Sequence, residues 1–177
     1  KAPEAAEGKR ASAEEKPEVC DPMPESVDFS VTSPVAGILT SISEMNDPVF
    51  SAGALGKGVA VIPERGEIVA PDDCEISVLY ETGHAIGLRM KEDLELLIHI
   101  GINTVELQGK YFTKHVKDGD ALKKGDRIVS FDIEGIRGAG YDPTVAVIVP
   151  NSDSYRAVAR AESGLVNPDT EILYIQK

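Results

Sequence analysis

The chain has 177 residues, 42% of them apolar, and a formal net charge of -12. This acidity, with no basic patch to offset it, argues against a nucleic-acid partner. No apolar stretch is long enough to span a bilayer, so we expect no membrane span in this chain. The two cysteines have no metal-binding spacing and no signal-peptide pattern is present, which together favour a reducing cytoplasm.

Residues 1–26 differ in composition from the rest of the chain. They are rich in Ala, Glu, Lys and Pro and contain almost no bulky apolar side chains. Such a segment buries too little surface to offset the entropy lost on ordering. We therefore predict a flexible linker or tail over 1–26 and one folded domain over 27–177. The opening Lys1, where a start Met would stand, suggests a fragment or an excised domain.

Short runs of β-forming residues recur between turn signals from Val27 onward. Their spacing, without alternating helices, predicts an all-β fold, an antiparallel β-sandwich or partly closed barrel. The best helix candidates are very short, at 49–52 and at 133–138, where Asp132 can cap the N-terminus. The predicted strands cover residues 27–31, 37–39, 58–62, 67–70, 75–79, 85–88, 94–98, 127–131, 144–149 and 171–175.

Two turn segments recur in weakly similar form along the chain. The stretch 33–38 recurs weakly at 70–76, and the stretch 118–128 has a faint echo at 164–172. In each of these stretches a turn is followed by a strand of similar length, which suggests related hairpins.

Residues 95–107 carry the first candidate for chemistry. Their buried strand ends at His99, two residues before Gly101, so a rigidly held imidazole has backbone room beside it. A single histidine at a strand end is more often structural, but His84 follows Thr82 and Gly83 in a similar setting. The two histidines predict one site assembled from adjacent strands, because a neutral imidazole is a competent nucleophile that a second one can assist.

The segments 82–85 and 97–107 resemble the glucose-type enzyme IIA domain of the bacterial sugar phosphotransferase system. Segments 108–116, 118–120 and 130–142 are similar to its β-glucoside-type members, and the resemblance covers roughly residues 30 to 177. It implies a barrel-sandwich hybrid built from duplicated hairpins. It also implies a domain tethered to a membrane permease, on the cytoplasmic side of the cell membrane.

The same resemblance implies a phosphotransferase activity and the residues that carry it. His99 would accept a phosphoryl group from the phosphohistidine of HPr and pass it to a cysteine of a IIB domain for sugar uptake. His84 would donate to a phosphoryl oxygen, and Thr82 would fix the tautomer of His84 or bind the phosphate. Cys20 and Cys74 lie in nothing like a IIB signature, so the acceptor is expected outside this chain. No metal, nucleotide or other cofactor is expected.

Two partners that dock in turn need a face with an apolar centre and a polar rim. Leu97 and Val105 are equally compatible with plain core positions. The positions that match the docking face of the family are Val49, Phe50, Leu55, Tyr80, Leu97 and Val105.

Two other classes of protein are alternatives to a phosphoryl-carrier domain. A zinc peptidase would need a His-x-His pair, and Gly101 stands where the second ligand would be. A non-catalytic module that regulates transporters or kinases would use the same face. Three residues depart from the family pattern, namely Asn103 for the common Asp, Lys57 and Cys74. His115 lies in a polar stretch and is expected at the surface. The sugar is not specified by this sequence.

Overall fold

The computed structural model describes residues 18–177, which fold mainly into antiparallel strands, as predicted. The two α-helices of this part of the chain are α1 (Pro48–Ser51) and α2 (Ile133–Gly138). The strands are β1 (Phe29–Thr32), β2 (Gly37–Ser41), β3 (Lys57–Pro63), β4 (Glu67–Val69), β5 (Cys74–Leu79), β6 (Ala85–Arg89), β7 (Glu95–Ile100), β8 (Phe112–Lys114), β9 (Ala121–Leu122), β10 (Arg127–Phe131), β11 (Val145–Val149), β12 (Ala157–Arg160), β13 (Gly164–Val166) and β14 (Glu171–Gln176).

These strands form three sheets. The largest has the order β13-β2-β3-β11-β7-β6-β5-β9, and the two smaller ones have the orders β1-β14-β12 and β4-β10-β8. The strand order has an internal twofold pattern, because the β13–β2 pair ends the large sheet on one side and the β9–β5 pair ends it on the other. The weak sequence repeats fall on the strands of these two pairs, while the predicted duplication of hairpins stays a prediction.

The main core lies between the large sheet and the two small ones. Strand β7 alternates, with Leu96, Ile98 and Ile100 buried in this core while Leu97 and His99 face the other way. This period of two is what a sheet with one core face requires. The alternation therefore places His99 on the outer face of the large sheet.

The outer face carries a smaller apolar cluster beneath α1. Asp47 caps this helix, since its side chain accepts a hydrogen bond from the backbone N–H of Val49 at 2.9 Å. Pro48 stands in the first turn, where its missing N–H removes no helical bond. The cluster consists of Ile42, Met45, Phe50, Ala60, Ile102, Ala146 and Ile148, with Val19 and Leu97 packed against it.

The predicted tail over 1–26 is only partly within the described residues. Residues 1–17 lie outside them, so the linker stays a prediction there. Glu18, Cys20 and Asp21 make hydrogen bonds to the domain, including one from the Asp21 N–H to the carbonyl oxygen of Val158 at 3.0 Å. In residues 18–177, no helix is long and apolar enough to cross a membrane.

Candidate functional site

His99 lies in the middle of the large sheet. It is paired with Ala85 of β6 on one side and with Ala146 of β11 on the other. Its Nδ1 is 2.8 Å from the carbonyl oxygen of Gly101. A carbonyl oxygen can only accept, so Nδ1 carries the proton of the neutral ring. The Nε2 atom of His99 therefore holds the free lone pair.

The turn after β7 fixes the Gly101 carbonyl in this position. Gly101 has a φ of +80°, which L residues with a side chain rarely adopt. Its N–H donates to the carbonyl oxygen of Thr144 at 2.9 Å, and the buried Thr104 hydroxyl donates to the carbonyl oxygen of Ile100. Asp142 in turn accepts from the N–H of Thr144 at 2.9 Å. Sequence reasoning missed Thr104, Asp142 and Thr144, whose only local signal is a polar residue next to a strand end.

His84 lies directly beside His99, so the two histidines form one site as predicted from adjacent strands. Their ring centroids are 5.1 Å apart with an interplanar angle of 80°, an edge-to-face arrangement. His84 Nδ1 is 2.5 Å from the Thr82 hydroxyl oxygen. Tyr80 stacks on His84, with ring centroids 5.5 Å apart. When the Thr82 hydroxyl donates to Nδ1, His84 presents Nε2–H as a donor.

Burial keeps both imidazoles neutral near pH 7. Desolvation, and to a smaller extent the neighbouring His99, lower the pKa of His84 to about 4. The side chain of His84 is only 7% exposed. Desolvation also lowers the pKa of His99, against the opposing effects of the Gly101 hydrogen bond and the Asp47 charge. A neutral His99 has the free Nε2 lone pair that a nucleophile needs.

Phe50 covers one side of His99. The ring centroids are 4.9 Å apart with an interplanar angle of 55°, and Phe50 is itself buried. Its position on α1 makes it a cover for the histidine rather than an exposed side chain. Phe50 also belongs to the outer-face cluster, so the site and α1 share one apolar support.

The other residues predicted to bind partners differ in their exposure. Tyr80 is 50% exposed and Val105 is 52% exposed, which excludes a plain core position for Val105. Val49 and Leu55 are also exposed, whereas Leu97 is half-buried against the outer-face cluster. Their binding of a partner stays a prediction.

The residues that depart from the family pattern have local structural roles. Asn103 has a left-handed φ of 59°, which Asn tolerates better than most residues. Lys57 Nζ is 2.7 Å from a carboxylate oxygen of Asp21. Cys74 pairs with Leu122 in the sheet, and burial raises the pKa of its thiol to about 11.

His115 is exposed and directly follows β8. Its Nε2 is 2.7 Å from the hydroxyl oxygen of Ser130 on β10. Among residues 18–177, no group of three or more His, Cys, Asp or Glu side chains is placed to hold a metal ion.

Fold and site together define an all-β domain with a pair of neutral histidines beneath a small apolar cover. The family model for the phosphoenolpyruvate-dependent sugar phosphotransferase system, EIIA 1, matches residues 29–155. The chain belongs to this family, and it is thus a component of a phosphotransferase system, as the sequence predicted.

Named relatives agree with this assignment. The β-glucoside-specific EIIBCA component of Bacillus subtilis is 46% identical over 143 residues, which are 81% of this chain and 24% of that protein. The β-glucoside-specific EIIBCA component of Dickeya chrysanthemi is 41% identical over 145 residues, 82% of this chain and 23% of that protein. This chain thus spans about a quarter of the length of these relatives. The glucose-specific EIIA component of Oceanobacillus iheyensis is 41% identical over 131 residues, 74% of this chain and 79% of that protein.

A solved structure matches the fold. The glucose permease IIA from Mycoplasma capricolum superposes with a TM-score of 0.73 at 24% identity. The match covers 82% of this chain and 94% of that one. At this identity the likeness supports the β-sandwich fold alone.

Proposed function

We propose that the chain is a phosphoryl carrier that holds the phosphoryl group on Nε2 of His99. The observation that carries the proposal is the hydrogen bond from Nδ1–H of His99 to the Gly101 carbonyl oxygen at 2.8 Å. It fixes the tautomer in which Nε2 is the nucleophile. The lowered pKa of His99, caused by burial, keeps that atom free of a proton at neutral pH.

In the accepting step, the Nε2 lone pair attacks the phosphorus of the phosphohistidine of HPr. An N–P bond forms on His99 as the N–P bond of the donor breaks, and the donor imidazole leaves with the electron pair. No redox change or cofactor is needed. Positioning and electrostatic stabilisation supply most of the catalysis in such phosphoryl transfers.

His84 assists from the side. With Nδ1 accepting from the Thr82 hydroxyl, its Nε2–H points to the oxygens of a phosphoryl group on the neighbouring ring. Because the pKa of His84 is about 4, it offers a neutral donor rather than a fixed cation. A neutral donor stabilises the transferring group without trapping it, which suits a carrier that must release the phosphoryl group again.

The onward acceptor is a cysteine of a IIB domain outside this chain. Neither cysteine of this chain suits the role, because burial raises the pKa of Cys20 to about 12 and that of Cys74 to about 11. A thiol held protonated is a poor nucleophile. The names of the EIIBCA relatives support a IIB partner. A permease context at the inner face of the membrane is part of the proposal.

The experiment is phosphorylation by phosphoenolpyruvate with the general phosphotransferase proteins, followed by mapping of the label. We expect one acid-labile, base-stable phosphate on His99 and none on a His99→Ala variant. A His115→Ala variant is the control, since the exposed His115 ring bonds to the Ser130 hydroxyl and should not affect labelling. Undiminished labelling of His99→Ala, or phosphate on another residue, would refute the assignment.

A further inference from the structure

The segment 18–21, called the strap from here on, is fastened at both ends. Asp21 forms a parallel bridge with Ala159 at the edge of β12. Its carboxylate accepts from the N–H of Val158 at 2.8 Å and from Lys57 Nζ at 2.7 Å. At the other end, Glu18 accepts from Arg160 Nε at 2.7 Å.

The middle of the strap also touches the domain. The Cys20 thiol donates to the carbonyl oxygen of Gly58 at 3.3 Å. Val19 packs against the outer-face cluster, which includes Phe50. All four strap residues therefore have specific contacts, although they precede the predicted start of the domain.

Val19 lies against the turn that ends α1. Its Cγ1 lies 2.5 Å from the place where a Cβ on Gly53 would be, so the valine fills the space that the glycine leaves. Gly53 has a φ of +72° and donates its N–H to the carbonyl oxygen of Phe50 at 3.1 Å. The chain of contact runs from Val19 through Gly53 to Phe50, and from there to the ring of His99.

α1 needs such support, because a helix of one turn has too few internal hydrogen bonds to be stable by itself. Its position over the sheet is set by the contacts on its two sides. One side is the outer-face cluster, and the strap supports the turn at its C-terminal end.

We propose that Val19 is a positioning residue for phosphoryl transfer, which braces the Gly53 turn so that Phe50 is held against His99. This inference rests on the proposed function, and it extends the site to a segment that sequence reasoning assigned to the tether. The brace couples the end of the tether to the catalytic histidine.

The test compares Val19→Ala with Met23→Ala in the full chain. Met23 is 59% exposed and lies six residues before β1, so it is the matched control for shortening a side chain in this segment. The pKa of His99 is measured by NMR titration, with the His115 signals as an internal reference. Phosphoryl acceptance from phospho-HPr and the melting temperature are measured on the same proteins.

For Val19→Ala we expect a His99 pKa closer to its usual value, because a displaced Phe50 admits water to the ring. We expect acceptance to slow by about tenfold, since small misplacements in such sites are costly. Met23→Ala should match the parent chain in both. A Val19→Ala protein with a lower melting temperature but unchanged His99 titration and acceptance would show that Val19 only stabilises the fold, and would overturn the proposal.

The two proposals fail in different ways. If the parent chain does not take phosphate on His99, the carrier function fails, while the NMR titration still tests the brace. If the parent chain is labelled and the His99 titration does not respond to Val19→Ala, the brace alone is wrong.

Discussion

Substitution of Gly101 by Ala tests whether the turn after β7 holds His99 in its reactive tautomer. The added Cβ would lie 2.4 Å from Thr104 Cγ2 and 2.9 Å from the carbonyl oxygen of Asp142. Gly119 is the matched control, because it has a similar φ of +84° but nothing within 4 Å of its added Cβ. Both substitutions force alanine into the left-handed region, and only Gly101→Ala also creates a steric clash.

The left-handed conformation costs an L residue about 1–2 kcal/mol. Overpacking a filled site typically adds about 1–3 kcal/mol. We therefore expect Gly119→Ala to lower the free energy of unfolding by about 1–2 kcal/mol and Gly101→Ala by about 2–5 kcal/mol. The larger loss would consume a substantial share of the stability of an ordinary domain, which is about 5–15 kcal/mol.

Urea denaturation followed by far-ultraviolet circular dichroism measures both losses, since the chain has no tryptophan for fluorescence. Phosphoryl acceptance is measured on the same samples under conditions where both variants are folded. We expect slow acceptance in Gly101→Ala alone, because the clash moves the carbonyl that holds Nδ1–H of His99. Equal stability losses in the two variants would refute the steric argument, and normal acceptance in folded Gly101→Ala would refute the tautomer argument.

Three further predictions follow from the site and the strap. His84→Gln should still accept phosphate from phospho-HPr but pass it on about 10²-fold more slowly, which rapid-quench measurement of transfer to a IIB domain would show. An unchanged rate would mean that His84 donates no hydrogen bond to the transferring group. Because the folded-state pKa of His84 is lowered to about 4, the neutral ring stabilises the fold above pH 6.5, and this contribution is lost as pH falls from 6.5 to 4. The free energy of unfolding, measured by urea denaturation at several pH values in that range, should fall more steeply with falling pH in the parent chain than in His84→Gln. Parallel plots against pH would contradict the lowered pKa of His84. A chain beginning at residue 27 should melt below one beginning at residue 18, because it lacks the strap, and equal melting temperatures would mean that the strap contributes nothing.

Most of the fold was readable from local patterns. The alternation along β7 and the continuous apolar run of β11 indicate a strand with one exposed face and a strand at the centre of the sheet. The cap at Asp132 was also readable, and its side chain accepts from the N–H of Gly135 at 3.0 Å. By contrast, β8, β9, β12 and β13 were not predicted. They are two to four residues long, so periodicity gives almost no signal for them.

The site was readable only in part, for a physical reason. His84 and His99 stand beside glycines at strand ends, and that pattern is local. The supports come from remote segments, such as Thr144 under Gly101 and Val19 against the Gly53 turn. Such contacts follow from how sheets and turns meet in space, and a single sequence does not encode them at any fixed spacing. The segment 18–21 was missed for the same reason, because its partners lie near residues 57 and 158.

The position of His99 on an inner strand has a consequence for the rate of the proposed phosphoryl transfer. β7 is paired on both sides, and the backbone carbonyl oxygen of His84 accepts from the N–H of Ile100 at 2.7 Å, so separating the two histidines requires breaking hydrogen bonds of an inner strand. In the proposed carrier, the arrangement of the two histidines would exist before a partner docks, and no binding energy would be needed to assemble it. The exchange of one partner for the next would then be limited by dissociation rather than by rearrangement of the domain.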